Sequence, residues 1–310
     1  MPPFERDWIP EIVVDVPLAR ELIEAQFPDL CPATITPLGS GWDNTVFRVN
    51  ERFVFRFPRR EIAVELVRTE LQCLPVLGPR LPVPIPMPVY RGEPSGAYQW
   101  PFAGYRYIPG RIAPSLPIDM AQRHELAMAM ARFLKALHEV PAHALPSDSI
   151  PFDTLARLDL EQRRSKTEHR LALIAGSGMA VDRGAVLRIF ETSPPPPTPP
   201  GLVVVHGDLH AGQLLVGDRG DLLGVIDWGD LHLGHAAVDL ALAHQLIPAT
   251  LHDAFLAVYG SVDPLVWQLA KGRAASVAVA LLAHAVDVGD RSMASEARMA
   301  LAFVTGGSAP

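Results

Sequence analysis

Apolar and polar positions alternate with two different periods along this chain, and the change of period divides it into parts. Asp15-Val16-Pro17 reads as a helix start, with Leu18, Leu22, Ile23 and Phe27 on one face and Pro28-Asp29 closing it. Beyond the proline-bounded stretch 32–37 the period falls to two. Residues 38–49 read as strand, tight turn at Gly39-Ser40-Gly41 and strand, and residues 52–57 as the strand across a hairpin at Asn50-Glu51. From Arg59 or Arg60 to Leu77 the period is helical, with Ile62, Leu66, Val67, Leu71 and Leu74 recurring at three and four. Prolines at 79, 82, 84, 86 and 88 predict a stiff, extended connection. Strands follow at 89–91 and 99–107.

After Gly110 the pattern is mainly helical. Residues 119–140 form a long amphipathic helix with Leu126, Met130, Phe133, Leu134 and Leu137 inward, and 152–175 and 185–190 read as further helix. The charged run 161–164 faces water. Residues 193–200, with four consecutive prolines, read as a surface linker into an apolar strand at 203–205. Strands at 214–216 and 222–226 pair as a hairpin across Gly217-Asp218-Arg219-Gly220. Helices at 236–246, 253–259, 264–287 and 292–303 complete the chain. No internal repeat is present. The fold class is therefore α+β, with a sheet-rich first part and a larger helical second part.

Composition narrows the function classes. Of 310 residues, 49% are hydrophobic and 20% charged, which fits a globular protein with a large core. The start Met1-Pro2-Pro3 lacks the basic end and apolar core of a signal peptide, and the apolar helical stretches look too short or interrupted to span a bilayer, so no membrane partner is expected. Two cysteines, Cys31 and Cys73, are too few for a disulfide framework or a zinc site and suit a reducing cytoplasm. A net charge of −7 argues against nucleic-acid binding and mildly favours cationic small-molecule partners.

The chemistry concentrates at His206-Gly207-Asp208-Leu209-His210-Ala211-Gly212-Gln213 and at Ile226-Asp227-Trp228. Strand-end positions allow Asp208 and Asp227 to converge. Two carboxylates and a carboxamide in one loop-hairpin unit suit Mg²⁺, which takes oxygen ligands together with substrate phosphates. The same unit suits phosphoryl transfer, where one Asp receives the acceptor proton and another holds the metal. Either acid alone reads equally as a turn or cap residue. A zinc site from His206, His210 and Asp208 is allowed by spacing, but the two histidines sit on a loop and not on one helix face.

This pair of motifs resembles the aminoglycoside phosphotransferase family, of protein-kinase-like fold, and its combination is far more specific than either half. The resemblance implies a bilobal molecule, with residues 1–107 as a nucleotide-binding lobe and 108–310 as a catalytic and acceptor-binding lobe. It implies Asp208 as catalytic base, Asp227 and Gln213 as Mg²⁺ ligands, and ATP or GTP as phosphoryl donor. Gly39, Ser40, Gly41 and Asn44, with Thr45, resemble the family's nucleotide loop. Arg56 stands where the family usually carries a phosphate-contacting Lys; read without the resemblance, it is a solvent-facing strand residue. Glu70 matches the acid that would hold Arg56, with Glu65 as competitor. Residues around Tyr107 and Ile108 would read a purine edge, and Tyr105 would add apolar contact; sheet packing is the alternative for these aromatics. Asp239 resembles the acid that braces the catalytic loop. Gln213 departs from the family's Asn by one methylene.

Trp42-Asp43-Asn44, residues 55–60 and Phe102-Ala103-Gly104 most resemble the aminoglycoside 2''-type and macrolide 2'-type enzymes, which implies antibiotic resistance. The expected partner is a small molecule with a free hydroxyl, on a monomer or homodimer. Asp230 and Asp239 favour a polycationic aminoglycoside over a macrolide, because such a ligand calls for carboxylates beside Asp208. A small-metabolite kinase or a catalytically weak nucleotide binder remains as the alternative.

Overall fold

The structure is a computed structural model that describes residues 10–41, 43–96, 98–146, 149–198 and 201–307. Trp42 and Pro199-Pro200, used above, lie outside the described residues. Helix α1 (Val16–Gln26) starts where the sequence predicts, its Asp15 carboxylate accepting the Leu18 N–H at 2.9 Å. Five strands follow: β1 (Ile35–Ser40), β2 (Asn44–Val49), β3 (Phe53–Pro58), β4 (Pro88–Gly92) and β5 (Phe102–Arg106), with helix α2 (Ile62–Leu77) after β3. They form one antiparallel sheet in the order β1-β2-β3-β5-β4. β5 is shorter than expected. The proline segment opens with a helical turn at Gly78–Arg80 before it extends.

The small lobe packs an aromatic core. Phe47, Phe53, Phe55, Phe57, Tyr98 and Phe102 close against Ala19, Leu22 and Ile23 of α1. Gly104 makes this possible, since a Cβ there would stand 2.5 Å from the Phe55 ring. Helix α2 belongs to both lobes. Val64 faces the aromatic core, while Val67, Leu71, Leu74 and Leu77 join the core of the helical lobe. Ile62, expected inward, is 62% exposed because it begins the helix ahead of that packed face.

The large lobe contains β6 (Arg111–Ile112), α3 (Met120–His138), α4 (Leu160–Gly176), α5 (Arg183–Thr192), β7 (Leu202–Val205), β8 (Leu214–Val216), β9 (Leu222–Val225) and β10 (His232–His235). It ends with α6 (Ala237–Leu246), α7 (His252–Tyr259), α8 (Pro264–Val288) and α9 (Arg291–Thr305). Asp119 and Gln122 form a reciprocal capping box at α3. The β8–β9 hairpin lies where the pattern put it, and β6 adds a third strand. β10 pairs with β7 and went unread, because His-Leu-Gly-His has neither the length nor the composition of a strand. Helix α4 begins eight residues later than expected. Phe152 instead bridges to Leu233, and Asp153 caps the turn by accepting the Leu155 and Arg157 N–H groups.

Helix α8 corrects another expectation. Its 25 residues are long and apolar enough to cross a membrane, with mean hydropathy 1.3, yet 67% of that stretch is buried inside the protein. It is packed by α4, α6 and α9 and serves as the axis of the helical lobe. Gly272 permits the contact with α4: a Cβ there would stand 2.4 Å from Leu160 Cδ1. Arg123 of α3 donates to both carboxylate oxygens of Glu296 on α9 at 2.9 and 2.6 Å, a two-pronged tie between first and last helices.

Buried histidines sit where α6, α7 and α8 meet. His244 stacks against Trp267 and His252, with ring centroids 4.4 and 4.7 Å away, and burial pushes its pKa down to about 3. The unfolded chain takes up this proton near pH 6.5, while the folded chain refuses it until about 3. This stabilisation is therefore complete above pH 6.5 and is lost as pH falls from 6.5 toward 3. We predict a slope of about 1.4 kcal/mol per pH unit from this group in that window. Urea midpoints between pH 7 and 4 check it: His244→Gln should flatten the slope, and an unchanged slope would show that other groups carry it.

Candidate active site

The β1–β2 turn stands open to solvent. Ser40 and Gly41 are exposed, a Cβ at Gly39 (φ +153°) would meet nothing within 4 Å, and the Gly41 N–H donates to the Asn44 carbonyl at 2.9 Å. Arg59 fixes the far side by donating to the Gly41 carbonyl at 2.6 Å. Asn44 is 6% exposed, and its Oδ1 has no partner among the described residues. A small turn of this shape can lay N–H groups over phosphates.

Arg56 projects from β3 and spends both ends of its fork. One Nη donates to Glu70 Oε1 at 2.7 Å and the other to Asp227 Oδ1 at 2.6 Å. Its strand position therefore faces the cleft and not bulk solvent. Burial alone would lower its pKa, but Glu70 and Asp227 outweigh that and raise it, so the guanidinium stays charged. The competitor acid Glu65 is occupied by Arg68 at the surface. Tyr105 donates its hydroxyl to the second Glu70 oxygen, so it braces the acid and does not line a purine pocket. Burial pushes the Glu70 carboxyl up, while Arg56 and the Tyr105 hydroxyl pull against it.

The loop after β7 is held from behind. Asp239, fully buried at the start of α6, accepts the N–H groups of His206 at 2.8 Å and Gly207 at 3.0 Å. His138 Nε2 lies 3.2 Å from the same carboxylate, and Tyr259 holds the other ring nitrogen at 2.8 Å. Desolvation pushes Asp239 up, but His138 and these donors bring it below the usual carboxylate range. Gly207 (φ +93°) has no room for a side chain, since a Cβ would lie 2.2 Å from the Asp230 carbonyl oxygen. Asp208 emerges from this tight turn with its side chain 42% exposed. Asp227, at φ +67°, follows β9 and reaches the same cleft with its side chain 49% exposed. Desolvation raises its pKa, and Arg56 with His206 more than reverses that.

The histidines have structural work. His206 Nε2 faces the Ile226 carbonyl at 3.0 Å while its Nδ1 accepts the Asp208 N–H at 3.4 Å, so the ring joins the two motif loops. His210 Nδ1 accepts the Gly212 N–H at 3.0 Å. Nitrogens committed in this way do not make a zinc site, and among the described residues no cluster of three His, Cys, Asp or Glu could hold a metal.

His210 also governs Gln213. Burial lowers its pKa and keeps the ring neutral; with Nδ1 accepting, its proton resides on Nε2. Gln213 Nε2 lies 3.2 Å from that nitrogen and 3.4 Å from Asp227 Oδ2. Amide oxygen and nitrogen occupy equivalent volumes, and the His210 proton favours oxygen at this position. Turned so, the carboxamide oxygen and Asp227 Oδ2 become adjacent acceptors, a pair that a hard divalent cation satisfies. The residues present therefore fit Mg²⁺ held jointly with phosphate oxygens.

The hinge departs from expectation. The Tyr107 N–H is committed to the Arg52 carbonyl at 2.9 Å, and the Arg48 guanidinium lies over the Tyr107 ring at 4.2 Å. Tyr107 thus packs on the sheet, and its N–H cannot read a base. Ile108 does line the interlobe junction, against Gly224 and the Pro84 carbonyl that accepts the Val225 N–H.

The acceptor side of Asp208 carries residues that sequence reading passed over. Arg157, 5% exposed, donates to Asp153 at 2.6 Å and to Asp230. Arg273 of α8 lies 3.7 Å from Asp208. Burial and Asp208 push Asp230 up against the pull of Arg157. No local pattern around Arg157 or Arg273 marks them, since each arrives from a distant helix or turn. Asp230 and Asp239 were read as acids for a cationic ligand. Asp239 is sealed inside, and Asp230 shares Arg157 with Asp153.

Comparison with known proteins agrees with this architecture. The phosphotransferase enzyme family model matches residues 34–271. An aminoglycoside 3'-phosphotransferase of Streptomyces fradiae is 30% identical over 166 residues, 52% of this chain and 58% of that protein. The matched stretch thus spans little more than half of that curated relative. The GDP and kanamycin complex of APH(2")-IIia superposes with TM-score 0.67 at 25% identity, over 92% of this chain and 97% of that one. The apoenzyme of macrolide 2'-phosphotransferase MphH from Brachybacterium faecium, at 22% identity and TM-score 0.60 over 91% and 97%, shares the fold.

Asp239→Ala should cost about 3 kcal/mol or more, because two buried N–H groups lose a charged acceptor. Asp239→Asn, keeping one oxygen, should cost about half as much. Chemical denaturation of both variants measures this, and equal losses would mean that the contact kept by the single oxygen contributes nothing.

Proposed function

Since the chain belongs to the phosphotransferase enzyme family, we propose that it transfers the γ-phosphate of ATP or GTP to a hydroxyl of a small molecule. The observation that carries this is that His206 ties the loop of a half-exposed Asp208 to the strand end before Asp227, which Gln213 contacts. Asp208 orients the acceptor hydroxyl and receives its proton as the new P–O bond forms. Asp227 and Gln213 supply the oxygens for Mg²⁺. When bound, Mg²⁺ neutralises and orients the triphosphate.

The turn at Gly39-Ser40-Gly41, with Asn44, covers the phosphates by backbone donors. Arg56, held by Glu70, adds positive charge behind them and positions Asp227. Residues 10–107 form the nucleotide lobe and 108–307 the catalytic lobe, with the base gripped at Ile108 and the peptide groups after Tyr107.

An aminoglycoside acceptor has the support of the likeness to a protein solved with kanamycin. The burial of Asp239 and the pairing of Asp230 with Arg157 favour a second reading, in which the acceptor is not chosen for positive charge.

Asp208→Asn should lower phosphate transfer by roughly 10²–10⁴-fold while nucleotide affinity stays near wild type. The test is a transfer screen with ATP and GTP against aminoglycosides, macrolides and small alcohols, with nucleotide titration alongside. A variant that retains turnover would remove Asp208 from the reaction.

A further inference from the structure

Arg273 is a buried charge that its partners among the described residues do not satisfy. Its side chain is 8% exposed, and its Nε is sealed from solvent without an acceptor among the described residues. The approach to Asp208, at 3.7 Å, is an ion-pair contact and not a hydrogen bond. A guanidinium has five donors, and burying them unspent is costly. Arg163, on α4 where it packs against α8, repeats the pattern: one Nη donates to the Leu155 carbonyl at 2.6 Å, and Nε has no partner.

Gly272 brings these two helices together, and both arginines lie within the field of the Asp208 carboxylate. Arg157 cannot help, because Asp153 and Asp230 already occupy it. Burial pushes the Arg273 pKa down to about 10, with Arg163 and Arg157 adding to the fall and Asp208 and Asp230 opposing it, so the group is charged at neutral pH. A buried and a half-buried guanidinium, each with an Nε that has no acceptor among the described residues, suit a planar or tetrahedral anion.

We propose that Arg273 and Arg163 bind a compact anionic group, carboxylate or phosphate, that the acceptor carries near the hydroxyl presented to Asp208. The acceptor class is then a hydroxy acid or a sugar phosphate, and not a polycation. This rests on the hydroxyl-kinase reading above and names its substrate class.

The test titrates glycerate, inorganic phosphate and kanamycin into the full chain saturated with Mg²⁺ and a nonhydrolysable triphosphate. Saturation fills the nucleotide's own phosphate sites, so the probes report the acceptor side, and the two anions distinguish carboxylate from phosphate. At least one anion should bind one to one. Arg273→Gln should weaken it about tenfold or more with nucleotide affinity unchanged, and Arg273→Lys should restore part of the loss. Arg163→Gln, at a less buried position, gives the same readout if Arg273→Gln fails to fold.

Tighter binding of kanamycin than of either anion, or anion affinity indifferent to both arginines, overturns the proposal. So does an Arg273→Gln variant that loses nucleotide hydrolysis to water yet binds the anion as before, which would put Arg273 on the transferred phosphoryl group. If the triphosphate itself does not bind, the kinase reading fails separately, and the anion titration is then read on the nucleotide-free chain with the same outcomes.

Discussion

The cleft depends on one guanidinium. Arg56 leaves the small lobe on β3, meets Glu70 on α2 and crosses to Asp227 of the large lobe. Buried charges persist only when paired, and breaking one side of such a set costs about 3–5 kcal/mol. The three groups are therefore a constraint on everything around them. Tyr105 must brace Glu70, α2 must lie against both cores, and Asp227 must adopt φ +67° to turn its carboxylate toward the fork. A lysine in place of Arg56 would offer one compact charge on a flexible stem; the planar fork addresses two acids at fixed separation. This departure from the family pattern ties the nucleotide side to the metal side directly.

Behind Asp208 a second chain of contacts runs inward, through His206 and Gly207 to Asp239, then His138 and Tyr259. His206, Gly207 and Asp239 are buried, His138 and Tyr259 half-buried, and each is hydrogen-bonded, which holds the loop rigidly. The acceptor side follows the opposite rule. Arg273 is buried and Arg163 half-buried, each with an Nε that has no acceptor among the described residues. Buried polar groups are ordinarily paired, so unspent donors beside a candidate base indicate function more than stability.

Much of this was legible in the residues. The apolar periods located α1, the β1–β3 meander, α3, the β8–β9 hairpin and the helical end, because each element buries one face and is long enough to declare a period. Asp208, Asp227 and Gln213 stand out in the motifs, Glu70 and Arg56 follow only from the family resemblance, and the structure brings Arg56, Glu70, Asp227 and Gln213 into direct contact. What stayed hidden is non-local. β10 exists only because β7 offers it a partner, and residues 152–159 give up helix for the Asp153 turn and a bridge to Leu233. Tyr107 reads as a hinge group until Arg52 claims its N–H. Asp239 does not face a ligand, because it is sealed under the loop that bears Asp208, while Asp230 is drawn to Arg157, which Asp153 shares.

The central claim is that Asp227 and Gln213, steered by Arg56 and His210, make this cleft a site for a triphosphate bound together with Mg²⁺. Titration of a nonhydrolysable triphosphate with and without Mg²⁺ tests it most directly. The account predicts binding at least about tenfold tighter with the cation, and loss of that difference in Asp227→Asn. Equal affinity with and without Mg²⁺ in the wild-type chain would contradict it.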